Sequence, residues 1–280
     1  MSDGARAVAI QGEAGSFSHA AALEALGGTA DVRLVPCPTL DDLFTTVEAG
    51  AAGRGVVPIE NSLAGSVYEA YDALGRHALH IVGETQVRVR HCLVVRPGTT
   101  LAHVHRVASH PVALAQCRRF FADHPAVAPV PAYDTAGSVR DLMAGRLAAE
   151  GAIASSLAAS LYGGEVLLEG LEDHPENYTR FLIIAREPAA LDHASKTSLV
   201  FTLPDVPGSL HRALGAFAVR RVNLSKIESR PLPGRPWEYA FYLDVIGDPR
   251  GGVAEALSEL ASLAADLRVL GAYPGRTLPS

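Results

Sequence analysis

Cysteine is scarce in this chain of 280 residues: Cys37, Cys92 and Cys117 stand far apart and form no C-x-x-C pair. That excludes a disulfide framework and a structural zinc site, and leaves three buried thiols. No apolar run approaches the roughly 18 residues a membrane helix needs. Residues 1–6 lead straight into a strand-like segment rather than a signal-peptide core, so a cytoplasmic location without membrane attachment is expected. A basic stripe is missing as well. With a net charge of -6 the chain is not expected to bind nucleic acid. An anionic ligand would have to be held by local dipoles and a few arginines against the global field. Low-complexity tracts and fixed-period repeats are absent. What is present is ordinary for a globular protein: 48% apolar and 19% charged residues, on a length that suggests about two domains with their own cores.

From residue 6 to about 185, short β-branched runs alternate with helical ones, which predicts an α/β sandwich on a largely parallel sheet. Strands are expected at 7–11, 32–35, 55–59, 80–95 with a break near Thr85, 106–109, 126–130, 151–154, 166–168 and 179–185. Helices are expected at 17–26, 40–48, 67–74, 112–122, 136–143 and 156–161. The stretch 187–195 has linker character, with small and polar residues around Pro188. Beyond it the order is strand, helix, strand, strand, helix, strand at 197–203, 209–220, 224–229, 238–246, 253–263 and 269–273. That βαββαβ order is the ferredoxin-like arrangement.

Four junctions between strand and helix carry small or capping residues: Gly12 to Ser16, Asn61 to Ser66, Ser109-His110-Pro111 and Asp134-Thr135. Helix N-termini offer unpaired N–H groups and partial positive charge, so junctions converging on one cleft make an anion site. In open α/β sheets such ligands sit beyond the carboxyl ends of the strands. The pentapeptide Asn177-Tyr178-Thr179-Arg180-Phe181 feeds into the apolar run 182–185 and places Thr179 and Arg180 at a strand mouth. Alone it reads as a strand entrance with a surface ion pair. Glu172, Asp173 and His174 are consecutive and cannot easily converge on one ion, so they are expected in a solvated loop, and no metal is expected.

These segments occur in a fixed order: Gly12-Glu13-Ala14-Gly15-Ser16-Phe17-Ser18, Pro58-Ile59-Glu60-Asn61-Ser62, Gly65-Ser66-Val67, Ser109-His110-Pro111 with Ala113 to Cys117, Ala152 to Ser155, Asn177 to Phe181, and Glu228-Ser229-Arg230-Pro231. Together they resemble the bacterial prephenate dehydratases with a C-terminal ACT domain, over nearly the whole chain. The resemblance implies a catalytic domain at 1–187, two-lobed like periplasmic binding proteins, with lobe one about 1–76 and 176–187 and lobe two about 77–175. The chain would cross between lobes near 74–79 and 171–177. An ACT regulatory domain would occupy 196–276.

The implied reaction, in L-phenylalanine biosynthesis, converts prephenate to phenylpyruvate and needs no cofactor. The ring hydroxyl leaves as the ring carboxylate departs as carbon dioxide, and a group donating to the leaving oxygen lowers the barrier. By resemblance Thr179, Glu60 and Ser109 are catalytic, while Asn61, Ser62, Gln116, Arg180, Thr135 and Ser16 bind substrate. A threonine hydroxyl is a poor acid in water, so Thr179 is expected to act as an oriented donor in a dry site. Arg180 suits a carboxylate clamp and a structural ion pair equally, Glu60 suits a pocket or a helix-capping role, and His110 suits a cap. Val112 stands where the family commonly has glutamine. Gly208, Ser209 and Leu210 with Glu228, Ser229 and Arg230 resemble the motifs that bind phenylalanine between subunits of a homodimer or homotetramer. Ser209 takes the place of the more usual alanine. Arogenate dehydratase and a non-catalytic amino-acid sensor are the alternatives.

Overall fold

A computed structural model describes residues 7–28 and 32–276; the opening hexapeptide, read above as lacking a signal core, lies outside the described residues. The first part of the chain runs β1 (Ala7–Gln11), α1 (Phe17–Ala25), β2 (Arg33–Cys37), α2 (Leu40–Glu48), β3 (Arg54–Asn61), β4 (Gly65–Ser66), α3 (Tyr68–Arg76) and β5 (His80–Arg88). It continues through β6 (Cys92–Val95), β7 (Arg106–Ser109), α4 (Pro111–Ala115), α5 (Arg118–Asp123), β8 (Ala128–Pro131), α6 (Thr135–Met143), β9 (Gly151–Ala154), α7 (Ser156–Tyr162), β10 (Glu165–Glu169) and β11 (Tyr178–Ala185). The last part is β12 (Lys196–Thr202), α8 (Ser209–Ala218), β13 (Leu224–Pro231), β14 (Tyr239–Ile246), α9 (Gly252–Leu263) and β15 (Asp266–Tyr273).

Three sheets result. The first has the order β2-β1-β3-β11-β5, with β4 added to β3; the second is β10-β6-β9-β7-β8; the third is β13-β14-β12-β15. The architecture is thus two α/β lobes followed by a ferredoxin-like domain. β1 is buried from Ala7 to Ile10 because it lies between two parallel neighbours with helices on both faces. α2 carries its apolar stripe at Leu40, Leu43, Phe44 and Val47, and its start is fixed by a reciprocal capping box between Thr39 and Asp42. Each fully buried side chain in that stripe contributes roughly 1.5–3 kcal/mol.

Two expectations about elements are corrected. The strand predicted across 80–95 is broken at 89–91, not near Thr85, and its first half belongs to the first sheet, paired with β11. The chain therefore leaves the first sheet between Arg88 and Cys92, not near 74–79. It returns between Glu169 and Tyr178. The helix predicted across 112–122 is two helices, because the chain turns at Gln116 and Cys117, where Cys117 leaves helical geometry at φ -120°.

The third sheet packs one face under α8 and α9 and the other against the first lobe. Leu199, Phe217, Val245 and Leu260 fill the first of these layers. Tyr242, Leu270 and Tyr273 join Tyr71, Leu74 and Ile81 in the second. Edge strand β15 runs so close to β5 that a Cβ at Gly271 would collide with the Ile81 carbonyl. Only glycine permits that approach.

Candidate active site

The cleft between the lobes holds a cavity of about 540 Å³ that extends into a second of about 280 Å³; Phe17, His110, Thr135 and Thr179 line both. Its floor is β11 against β3. Thr179 pairs across the ladder with Asn61, and the Asn61 amide nitrogen lies 3.0 Å from the Thr179 hydroxyl oxygen. The orientation of that amide is fixed. Asn61 Oδ1 accepts from the backbone N–H groups of Leu63 and Ala64 at 3.0 and 2.8 Å, an Asx turn that aims its NH₂ at Thr179, Asn177 Oδ1 and the Tyr178 carbonyl. Because Thr179 Oγ1 accepts from Asn61, its own hydrogen is left free for the cleft.

From the first lobe, Ser16 caps α1, accepting from His19 N at 3.3 Å. A cap of this kind contributes about 1 kcal/mol and points the helix N-terminus at the cavity it lines. From the second lobe, α6 begins at Thr135 with Asp134 as its cap. Burial outweighs the Gly137 N–H bond and pushes the Asp134 carboxyl above the usual range. The loop before α1 docks onto the second lobe. Ser155 Oγ donates to the Gly15 carbonyl at 2.6 Å, Tyr162 to the Ala14 carbonyl at 2.9 Å, and Glu13 pairs with Arg140 at 2.8 Å. Gly15, at φ +89°, meets the backbone of Ala158 where a Cβ would clash.

Thus the fold gathers Thr179, Asn61, Thr135, Ser16 and Gln116 around one cleft. It does not bring Glu60, Ser109, Ser62 or Arg180 there. The ladder between β11 and β3 shifts register as Arg180 pairs with Glu60 and Phe181 with Pro58. The extra residue, Ile59, inverts side-chain parity, so Glu60 leaves the face of Pro58 and bonds Lys226 of the third sheet at 2.8 Å. Arg180 is one strand position from Thr179 and takes the opposite face. Its guanidinium lies 2.6 Å from Asp244 and 3.1 Å from Glu84. Glu84 in turn holds Lys196 at 2.6 Å. Arg180 is therefore an ion-pair centre between domains, not a clamp lining the cleft. Ser109 is wholly buried and donates to the Ile153 carbonyl at 2.6 Å, tying β7 to β9. Ser62 spends its hydroxyl on the Glu176 carbonyl and the Tyr178 N–H.

His110 accepts from Val112 N at 3.3 Å, a cap on α4. Glu172 and Asp173 are not free in solvent. Glu172 accepts from His91 N, and Asp173 from the N–H groups of Arg118 and Arg119. Sequence reasoning missed His91, which lines the cleft beside Gln116. Its only signal was a histidine at the foot of a strongly apolar strand. Among the described residues no group of histidine, cysteine and acidic side chains is placed to hold a metal.

In the C-terminal domain Gly208, Ser209 and Leu210 line a concavity of about 340 Å³ with Trp237 and Phe241. The second motif lies elsewhere. β13 alternates, and its half-buried positions Lys226, Glu228 and Arg230 face the first lobe while Ser229 is exposed. Glu228 meets Ser66 at 2.5 Å and Arg230 forks onto Asp72 at 2.9 Å. Within the chain, Glu228 and Arg230 thus join the C-terminal domain to the first lobe.

The fold and cleft define a two-lobed ligand-binding domain joined to a small regulatory module. Residues 8–189 match the prephenate dehydratase family and residues 197–264 the ACT domain family. The chain belongs to the prephenate dehydratase family, whose members are hydro-lyases. An Arabidopsis thaliana protein described as arogenate dehydratase/prephenate dehydratase 2, chloroplastic, is 42% identical over 287 residues, covering 98% of this chain and 74% of that one. The solved prephenate dehydratase of Arthrobacter aurescens in complex with L-Phe is 37% identical, with a TM-score of 0.87 over 95% of this chain and 89% of that one. A structure described as GqqA, a novel type of quorum quenching acylases, has the same identity and TM-score over 96% and 98%.

Proposed function

We propose that this chain dehydrates and decarboxylates prephenate to phenylpyruvate in L-phenylalanine biosynthesis, as a bacterial-type enzyme of the cytoplasm, with Thr179 as the oriented donor. The single observation that carries this reading is the Asn61–Thr179 bond of 3.0 Å. As the bond from ring carbon to carboxylate breaks, its electron pair moves through the diene and expels the ring hydroxyl. Carbon dioxide leaves from one ring carbon. At the ring carbon opposite, the departing oxygen takes a hydrogen bond from the Thr179 hydroxyl and a proton that solvent ultimately supplies, and leaves as water. Asn61 polarises the threonine hydroxyl by donating to its oxygen, which strengthens the outgoing donation. The dicarboxylate substrate meets no lysine or arginine among the described residues that line the cleft. Helix N-termini at Ser16 and Thr135, with the Gln116 amide, take that role.

The catalytic domain would span 1–187 and the ACT domain 196–276, with phenylalanine held at Gly208, Ser209 and Leu210. Support for the effector comes from the L-Phe complex of the Arthrobacter relative. Exposed Trp237 and Tyr239, which line that concavity, and exposed Ile227 on β13 favour assembly as a homodimer or homotetramer. Arogenate is the second reading, favoured by the names of the plant relatives and by Glu13 and Asp134, which can meet an ammonium in the cleft. Acyl transfer would need a nucleophile beside a base, and no cleft-lining hydroxyl bonds a histidine ring among the described residues. Competition between prephenate and arogenate, followed by product formation, decides the substrate. Turnover of neither overturns the dehydratase reading.

A further inference from the structure

We propose that His91 is a positioning residue that fixes Gln116 as a hydrogen-bond donor to a carboxylate of the substrate; this rests on the reading of the cleft as the dehydratase site. His91 is 2% exposed in the turn between β5 and β6. Its Nε2 lies 2.9 Å from Gln116 Oε1, and its ring stands edge-on to cleft-lining Phe17, with centroids 5.5 Å apart. Both backbones are held by one segment, 171–173. Leu171 N donates to the His91 carbonyl at 3.0 Å, Asp173 N to the Gln116 carbonyl at 2.7 Å, and Glu172 Oε2 accepts from His91 N at 2.8 Å.

The tautomer follows from the ring's other nitrogen. Nδ1 is buried and has no hydrogen-bond partner among the described residues. A proton there would leave an unpaired N–H in the interior, which is costlier than an unpaired acceptor. The proton therefore sits on Nε2 and points at Gln116 Oε1. A flipped Gln116 amide would set N–H against N–H, so the carboxamide is locked with its NH₂ turned away from His91. That NH₂ has no partner among the described residues, and Gln116 lines the cleft with Thr179. Among the described residues the cavity lining holds no lysine or arginine, so a neutral donor that cannot rotate to become an acceptor is what a carboxylate requires there.

The test is a mutant cycle with steady-state kinetics. His91→Phe keeps the ring packing on Phe17 and removes the donor. It is expected to raise KM about tenfold with kcat within about twofold, the signature of lost ground-state binding. Gln116→Ala should do the same, and the double variant should be no worse than Gln116→Ala alone. His91→Gln, which can still donate to Gln116 Oε1, should recover part of the affinity. Effects of the two single variants that simply multiply, or an unchanged KM in His91→Phe, would overturn the proposal. Nitrogen-15 spectra of the wild-type imidazole give a readout independent of activity and of how well the variants fold: Nε2–H with bare Nδ1 supports it, and Nδ1–H refutes it. A wild type that turns over neither prephenate nor arogenate removes the dehydratase reading and this role with it.

Discussion

Thr179 and Arg180 are neighbours in the chain and serve opposite faces of β11. The Thr179 hydroxyl receives the Asn61 amide at 3.0 Å inside the cleft, while the Arg180 guanidinium meets Asp244 of the ACT domain at 2.6 Å. One strand therefore carries the reactive hydroxyl on one side and the domain interface on the other. The neighbouring strand repeats the division, since Asn61 faces the cleft while Glu60 bonds Lys226.

The direction of the Asn61 bond is testable. Asn61→Asp replaces a donor with an acceptor, so the Thr179 hydrogen turns back toward the carboxylate and is withdrawn from the leaving oxygen. A fall in kcat of about 10²-fold, with KM little changed, is expected. Asn61→Ala should lose less than Asn61→Asp. The reverse ranking would mean that Thr179 does not use its hydrogen on substrate.

Arg180 stabilises the fold. Its removal leaves Glu84, whose side chain is 0% exposed, and Asp244 without their shared cation. Arg180→Met is expected to cost about 3–5 kcal/mol, as breaking one side of a buried ion pair does. Calorimetric unfolding checks this. A variant of wild-type stability with a raised KM would instead return Arg180 to the substrate.

β1, β7 and β9, together with α2, follow local pattern closely, because contiguous apolar runs and a capping box fix them without help. Glu60 was misread for a reason no local pattern carries: the bulge at Ile59 depends on how β11 pairs with β3, more than a hundred positions away. Ser109 sits at the end of a predicted strand, yet whether its hydroxyl meets a ligand or the Ile153 carbonyl is decided by β9. β5 was placed in the wrong lobe because strands of both lobes read alike, and only pairing with β11 assigns it. Thr179 stands out only through the resemblance of its motif to the family, since alone the pentapeptide reads as a strand entrance, whereas the contact of His91 with Gln116 arises across the fold and carries no local signal.

The pH dependence of stability follows from His91. Burial pulls its pKa below 6.5 against the opposing effects of Gln116 and Glu172. The folded protein then resists a proton that the unfolded chain accepts, so stability is full above pH 6.5 and falls as pH drops through the depressed value. His91→Phe should flatten that part of the curve. An unfolding temperature whose slope below pH 6.5 is the same in both proteins would contradict the assignment.

In the regulatory domain the two motifs should separate. Trp237→Ala removes a wall of the concavity at Gly208 to Leu210 and is expected to weaken phenylalanine binding at least about tenfold with basal activity unchanged. Glu228→Ala should alter basal activity, because its partner Ser66 lines the cleft. Titration calorimetry and initial rates distinguish them. Identical behaviour of the two variants would contradict the division of roles.

The most direct measurement is the rate of phenylpyruvate formation by Thr179→Ala beside the wild type. A fall of about a hundredfold or more in kcat, with the unfolding temperature preserved, is predicted for loss of the oriented donor. Near-normal product formation by that variant would contradict the central role of Thr179.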